Sequence, residues 1–317
     1  MTRFIRKTIV LAKIETTAGT DSVPVGATDA ILISNATFET SYNNVDRNLI
    51  RGYFGGSEQL AGSRCVKINF ECEISGSGTA ATAPAWGKLL QGCAFAEVTG
   101  ATFTTYTPIT DTLKTLTIKY YLDGMLHTAL GCMGTVELSM GEGERPLYKF
   151  TFTGIEGGNS ATSNPTPTLT AWKAPTVITD PNTGDIKLGS SYATGAITGG
   201  TAYASRGLSI NVANDVKFMA MLGSQYISIT NRAPTGQIQI ELNVADEVAM
   251  LTAINANTTT TFSFEHGTSA GYKVAVYCPV VQRINPKNVD YQGVAQLGMD
   301  LRLLPSAGND EMIIITS

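Results

Sequence analysis

Charged residues are scarce in this chain, at 15% of 317 residues, compared with about 25% in an average soluble domain. The formal net charge is −4. A negative chain with few cations is not suited to gripping nucleic acid, because Lys and Arg contacts to phosphates supply most of that affinity. The surface must therefore rely on Thr, Ser, Asn and Gly, and we expect partners to cover part of it.

Cysteine and histidine are also rare. The five cysteines are odd in number and widely spaced, which matches neither a disulfide framework nor a zinc site. Cys72 and Cys93 fall on apolar faces and are interpreted as small core residues in a reduced chain. The two histidines, His127 and His266, have no Cys or carboxylate at metal-ligand spacing, so both are predicted to be surface polar residues rather than ligands.

Signatures of catalysis and of membrane insertion are missing. The chain has no Gly-x-Ser-x-Gly motif and no phosphate-binding loop. Glu71 and Glu73 share one strand face with Lys67 and Asn69, which indicates a solvated face rather than an acid–base pair. No catalytic residue, cofactor site or metal site is therefore predicted. The uncharged run at residues 8–12 is too short for a signal peptide, and no run is long enough to span a membrane.

The clearest pattern in the chain is the strict apolar–polar alternation of residues 66–74. Side chains alternate faces along a strand, so this pattern predicts a strand with one buried and one solvated face. A loop of small residues follows, and residues 84–93 then begin with Pro84. Proline suits the first turn of a helix, and Trp86, Leu89, Leu90 and Cys93 recur at helical spacing, which predicts a short amphipathic helix.

Similar patterns predict a mainly β chain. The Asp123-Gly124 pair is typical of a hairpin turn. A second helix is predicted at residues 245–254, where acidic residues occupy its positive end. Further strands are predicted at residues 8–14, 30–42, 102–108, 114–122, 126–130, 134–140, 146–154, 208–212, 237–244, 260–265, 273–278 and 295–303.

Two long segments with weak patterning, residues 43–64 and 213–236, are predicted to be loops. Ordered loops of this length are uncommon and are usually functional or shared with a partner. Arginine and aromatic residues on loops are typical of interfaces, although each loop could also fold back over its own core. The candidate contact residues are Asp46, Arg47, Arg51, Tyr53, Phe54, Phe218, Tyr226 and Arg232.

The order of the predicted elements repeats along the chain. Each half has a strand, a long loop, an alternating strand, a short helix and then more strands, which indicates a divergent internal duplication. Residues 159–200 are rich in Thr, Gly, Ser, Asn and Pro, a composition typical of a linker. We therefore predict a first domain at residues 1–158, a linker at 159–200 and a second domain at 201–317.

Several segments of the first half have a distinctive order, at residues 7–21, 45–51, 55–57, 66–74, 76–80, 83–90 and 122–127. Together these segments resemble the tail tube (major tail) proteins of long-tailed bacteriophages. The resemblance implies two tandem β-sandwich or part-barrel domains, each with one flanking helix. It also implies a structural virion protein, made in the host cytoplasm, whose rings stack into a hollow tube through which DNA passes.

The resemblance further implies specific partners. Rings in this family usually contain six tube domains, so two domains per chain predict trimeric, pseudo-hexameric rings, with hexamers of the chain as the alternative. Tail terminator, tape measure and distal tail proteins are the other expected partners. The DNA should slide past without specific binding, and the polar residues Glu71, Glu73, Gln239 and Glu241 are the candidates for facing it.

Other functional classes fit the same composition. A tail terminator or hub protein of the same fold would form a single ring instead of a tube. A carbohydrate-binding β-sandwich would concentrate exposed aromatic residues in one domain, whereas here they are spread along the chain. The apolar run at residues 312–315 is expected to pair with another strand, because an exposed β-prone tail would promote aggregation.

Overall fold

The computed structural model describes residues 2–317, and within them the chain forms 21 strands and three short or medium helices. The helices are α1 (Gly26–Asp29), α2 (Gly87–Gln91) and α3 (Val244–Asn255). Two 3-10 turns lie at Ile5–Lys7 and Asp180–Asn182. The first-half strands are β1 (Thr8–Ile14), β2 (Ala30–Ile31), β3 (Ser34–Tyr42), β4 (Val45–Asp46), β5 (Gln59–Leu60), β6 (Arg64–Glu73), β7 (Phe95–Thr99), β8 (Thr104–Pro108), β9 (Leu116–Leu122), β10 (Met125–Gly141) and β11 (Leu147–Ala161).

The second half is built in the same way from strands and one helix. Its strands are β12 (Ile186–Ala193), β13 (Ala196–Tyr203), β14 (Ser205–Asn211), β15 (Asn214–Met221), β16 (Ser224–Arg232), β17 (Thr235–Ile240), β18 (Thr259–His266), β19 (Val274–Tyr291), β20 (Val294–Leu304) and β21 (Ile313–Thr316). The predicted mainly β fold is confirmed, and the layered sheets are those of a β-sandwich.

Strand β6 shows why strict alternation predicts a strand. Val66, Ile68, Phe70 and Cys72 are buried on one face, while the intervening polar residues remain partly or fully exposed. Its neighbours are β3 on one edge and β11 on the other, and Phe70 lies directly opposite Phe150. Burial of one face fixes the register, because a slip of one residue would expose every apolar side chain.

The first predicted helix is shorter than the sequence pattern indicates. It begins at Gly87 instead of Pro84, because residues 84–86 form a turn that precedes it. Trp86 is buried at this entry point and its indole N–H donates to the carbonyl of Ser75 at 2.8 Å. The indole also packs against Tyr106, with ring centroids 5.2 Å apart. The short helix is therefore held in place mainly by the packing and the hydrogen bond of Trp86.

The second predicted helix, α3, is found almost where the sequence places it. The side chain of Asn243 accepts a hydrogen bond from the backbone N–H of Asp246 at 2.9 Å, which caps the N-terminus. The hairpin turn at Asp123-Gly124 is also confirmed, since both residues have positive φ and join β9 to β10. Residues 30–42 form two strands, β2 and β3, rather than one.

The two halves have the same order of strand pairing. In the first half, neighbouring strands follow the order β2, β1, β9, β10, β11, β6, β3. In the second half, the order is β13, β12, β18, β19, β20, β17, β14. The helices α2 and α3 follow corresponding strands, β6 and β17. This matched order is what a duplicated structural unit produces.

The segment with linker composition contains regular structure. Strand β12 and part of β13 lie within residues 159–200, and β12 pairs with β18 of the second half. Sequence reasoning missed these strands because glycine and threonine dilute their alternation. By strand order they correspond to β1 and β2 of the first half. The division into two domains remains a prediction, with the second repeat starting at β12 on this reading.

The halves are joined by two ladders and by one core. Strand β14 of the second half pairs with the last part of β10, from Glu137 to Gly141. Strand β21, at the C-terminus, pairs with β8 of the first half and β19 of the second. The expected pairing of the apolar C-terminal run is therefore confirmed. One continuous apolar cluster extends from Val10 to Ile314. The strand pairings among residues 2–317 branch, and no path through them returns to its starting strand, so the sheet stays open.

Candidate functional site

Eight strands of the chain form one continuous arc across both halves. Their order is β3, β6, β11, β10, β14, β17, β20 and β19, because β14 pairs with the free part of the edge of β10. Each half contributes four strands. One face of this arc covers the core, and we call the opposite, solvated face the polar face.

Rows of directly paired residues show what the polar face carries. Paired residues on neighbouring strands point to the same side of a sheet. One row runs from β6 to β20 through Glu71, Lys149, Glu137, Asn211, Thr235 and Arg302. A second row runs through Glu73, Leu147, Ser139, Ser209, Gln237 and Asp300. The polar face therefore has mixed charge and many neutral polar groups.

The candidate residues of the first half lie on this face and have local partners. Glu71 accepts hydrogen bonds from Asn35 Nδ2 at 2.7 Å and from Ser34 Oγ at 3.3 Å. Glu73 accepts from Arg145 Nη1 at 2.9 Å. Both side chains are thus positioned by neighbouring elements while remaining partly exposed.

The candidate residues of the second half occupy related positions. Gln239 lies on the same face of β17 as Gln237, and its amide donates to Gln296 Oε1 at 2.6 Å. Glu241 lies just beyond the end of β17 and is exposed. The structure therefore brings Glu71, Glu73 and Gln239 to one face, with Glu241 at its margin.

Two cations at the polar face, Lys149 and Arg145, are held by carboxylates, while Lys67, Lys287 and Arg302 are exposed and, among residues 2–317, have no such partner. Lys149 Nζ lies 2.9 Å from Glu137 Oε1. This hydrogen bond, reinforced by the charges of Glu137, Glu71 and Glu144, raises the pKa of Lys149. Arg145 is paired with Glu73 in the same way. Paired cations attract phosphate less than free ones, since the nearby carboxylate offsets their charge.

The first long segment, residues 43–63, contains only the two-residue strands β4 and β5. Glu58 joins its two limbs by pairing with Arg47 and with Arg51, the latter at 3.0 Å, and Asp46 accepts from Gln59 at 2.6 Å. Apolar side chains of this segment are exposed to solvent: Val45, Leu49, Ile50, Tyr53, Phe54 and Leu60.

The second long segment is a hairpin, not a loop. Strands β15 and β16 pair across the turn at Leu222-Gly223, where Gly223 has a φ of 83°. The prediction of a loop was wrong because both faces of this hairpin are only half-buried, which weakens the alternation. Phe218 is half-buried and Tyr226 is exposed. The guanidinium of Arg232 pairs with Glu311 at 3.0 Å and donates to the carbonyl of Ile109.

The histidines differ in their surroundings. His127 is partly exposed, bonds to Asn159 at 2.7 Å and stacks beside Phe38. His266 is 2% exposed, which contradicts the prediction of a surface residue. Its ring nitrogens contact Thr183 and Thr176, and its burial lowers its pKa from 6.5. His266 ends β18, where Thr183, in the segment before β12, forms an isolated antiparallel bridge with it and covers that edge of the sheet.

In residues 2–317, no group of three or more His, Cys, Asp or Glu side chains is arranged to hold a metal ion. None of the helices that the structure describes has the length and apolarity needed to cross a lipid bilayer.

Comparison with known proteins identifies the family. The model of the phage tail tube protein family matches residues 5–309, nearly the whole chain. The chain belongs to the phage tail tube protein family. As a tail tube protein it is a structural component of the virion, in agreement with the resemblance seen in the first half. No curated protein matches the sequence.

Sequence reasoning missed the two free edges of the arc in this tail tube protein. Within residues 2–317, β3 pairs only with β6, and residues 287–291 of β19 pair only with β20. Each leaves unsatisfied backbone donors and acceptors along one side. The signal that could have found them is the duplication itself, because β3 and β14 are corresponding strands.

Proposed function

We propose that this tail tube protein closes into rings of three copies that stack into a tube for DNA ejection. The observation that carries the proposal is the pair of free edges at the two ends of the eight-stranded arc. Exposed edges of this kind template pairing with another chain. The β3 edge of one copy would pair with the β19 edge of the next.

A strand pairing inside the chain is equivalent to the proposed contact between copies. Strand β14 corresponds to β3, and β10 corresponds to β19, because they occupy the same places in the two pairing orders. The pairing of β14 with β10 inside the chain is therefore equivalent to the proposed pairing of β3 with β19 between chains. Contacts that repeat head to tail close into a ring when the rotation between copies divides a full turn, and form an open helical filament when it does not.

The dimensions favour three copies over six. Eight strands from each of three copies, spaced about 4.8 Å apart and tilted by about 40°, close into a ring about 50 Å across between backbones. That leaves room for a DNA double helix once side chains are included. Six full-length copies would give a ring about twice as wide by the same spacing. Trimeric, pseudo-hexameric rings are therefore preferred to hexamers.

The polar face would then line the lumen. Lys149 and Arg145 are offset by carboxylates, and Glu71, Gln239 and Glu241 add negative or neutral groups, whereas Lys67, Lys287 and Arg302 are exposed without a paired carboxylate in the part of the chain that the structure describes. DNA that meets few free cations makes few of the phosphate contacts that cause non-specific binding. Tyr53, Phe54 and Tyr226, which are exposed on the long segments, would contact neighbouring rings. A purely structural role follows, without catalysis or a cofactor.

Electron microscopy of the purified protein tests the proposal. The expected result is tubes whose rings each contain three full-length chains, with six similar units around the lumen. Rings with six full-length chains would overturn the trimer. Single rings that never stack, or a copy number of one ring per phage particle, would instead favour a tail terminator. In the assembled tail, tape measure and distal tail proteins are the expected further partners.

A further inference from the structure

We infer that residues 43–63 pack against β19 and β20 of the next copy in the same ring. This inference rests on the ring proposed above and names a surface that the ring alone does not specify. The base of the segment, where β4 and β5 carry Val45 and Leu60, would contact the neighbouring copy within the same ring. Only the tip of the segment, with Tyr53 and Phe54, would then remain free for contact between rings.

The basis is the behaviour of the corresponding segment inside the chain. The hairpin of β15 and β16 follows β14 as residues 43–63 follow β3, and the two segments have similar lengths. This hairpin packs against β10 and β11, the strands beside the intrachain joint. Ile227 of the hairpin is only 4% exposed as a result.

A buried asparagine fixes the hairpin at the joint. The Nδ2 group of Asn214 donates to the carbonyls of Cys93, at 2.8 Å, and Gly134, at 3.0 Å. Its backbone N–H donates to Thr135 Oγ1 at 3.1 Å. Asn43 and Asn44 occupy the corresponding place after β3, where both are exposed. The Nδ2 group of Asn44 donates to Gln59 Oε1 at 3.4 Å and the backbone N–H of Asn43 donates to the carbonyl of Ser63, so the side-chain amide of Asn43 is the group placed to make the equivalent contact with a neighbouring chain.

Residues 43–63 expose several apolar side chains in the single chain. Val45 is 56% exposed, Leu60 is 52% exposed and Ile50 is fully exposed. A cluster of exposed apolar side chains on one segment is typical of an interaction site. The salt bridges of Glu58 with Arg47 and Arg51 hold the two limbs together, so the segment need not fold anew on contact.

The receiving surface is also uncovered in the single chain. Residues 285–288 of β19 are exposed, and Val294 at the start of β20 is 47% exposed. Residues 285 and 286 form the bulge of β19, and by pairing order β19 and β20 correspond to β10 and β11, the strands that the hairpin covers within the chain. A second copy of this chain is therefore the occupant that fits, because the same chain already shows how the corresponding surfaces meet.

The double substitution Val45→Asp and Leu60→Asp tests this inference. Both side chains are exposed in the single chain, so the variant should fold normally by circular dichroism. Two charges buried at the contact should weaken association between copies about a hundredfold or more. Sedimentation should then show single chains where the wild type forms rings. The matched control is Leu222→Asp at the exposed tip of the β15–β16 hairpin, which should still form rings.

The outcomes separate the two proposals. A variant that forms normal trimeric rings but fails to stack would overturn the inference and place the whole segment between rings. A variant that forms wild-type tubes would overturn it as well. If the wild type itself forms no rings, the proposed function fails, and that result is distinct because it does not depend on the substitutions.

Discussion

Leu138 of β10 and Ile210 of β14 lie directly opposite each other in the ladder that joins the two halves of the tail tube protein. Both are buried, at 2% and 1% exposed. The polar face continues across this joint without a break, since Glu137 faces Asn211 one residue away. The joint therefore unites two four-stranded sheets into one arc, and its stability sets how rigidly the repeats are held.

The first prediction concerns Asn214, which anchors the hairpin next to this joint. Asn214→Ala removes two buried hydrogen bonds and leaves the carbonyls of Cys93 and Gly134 without these donors. The free energy of unfolding should fall by about 1–3 kcal/mol. Urea denaturation measures it. The control is Asn231→Ala on the same hairpin, where the side chain is exposed and the change should stay within about 0.5 kcal/mol. Equal stability of the two variants would contradict the anchoring role.

The second prediction concerns the C-terminal strand, which lies between β8 and β19. Ile314 is 1% exposed, so Ile314→Ala should leave a cavity and lower the free energy of unfolding by about 2–5 kcal/mol. Ile50 is the same residue type in a fully exposed position, and Ile50→Ala should change stability by no more than about 0.5 kcal/mol. Thermal unfolding of both variants provides the comparison, and a small effect at Ile314 would mean that β21 is detached in solution.

The sequence predicts those strands that have one face on the core and the other in solvent. Residues 66–74 alternate strictly because one face of β6 covers the core, and β17 is equally clear for the same reason. Where both faces are partly exposed, as in β15 and β16, alternation fades and the strand is missed. Helix α3 was predictable from its acidic first turn, whereas the aromatic packing that shortens α2 involves distant residues.

The arc and its free edges could not be predicted from local patterns. The pairing of Leu138 with Ile210 joins residues far apart in sequence, and only the full topology sets it. The candidate residues Glu71 and Gln239 were found because solvated strand faces are visible in sequence. That both lie on the same face of one sheet became clear only from the pairing of β10 with β14. The burial of His266 was likewise invisible, since a turn position usually indicates exposure.

The third prediction uses the buried His266. Burial lowers its pKa below 6.5, so the folded state favours the neutral ring and the unfolded state binds a proton more readily. Its contribution to stability is therefore present above about pH 6.5 and is lost as the pH falls through the lowered folded-state pKa. Unfolding free energies measured from pH 8 down to about pH 5 should show this loss.

The matching variant for that experiment is His266→Gln, which cannot take up a proton in this range. It should be less stable than the wild type at pH 8, because contacts with Thr183 and Thr176 are disturbed. Its stability should, however, depend less on pH between about 6.5 and 5. His127→Gln serves as the control, because that ring is partly exposed. Identical pH profiles for wild type and His266→Gln would rule out this linkage.

The last prediction concerns the polar face as the surface that DNA passes. Phage carrying Glu71→Lys and Glu73→Lys should eject DNA more slowly, because each lysine adds a phosphate contact and Arg145 loses its partner. The delay should shrink as salt rises, since counterion release drives such contacts. The control, Asp111→Lys with Asp185→Lys, makes the same change in net charge at exposed positions outside the arc. With normal tails confirmed by microscopy, an unchanged ejection rate at low salt would show that this face does not line the lumen.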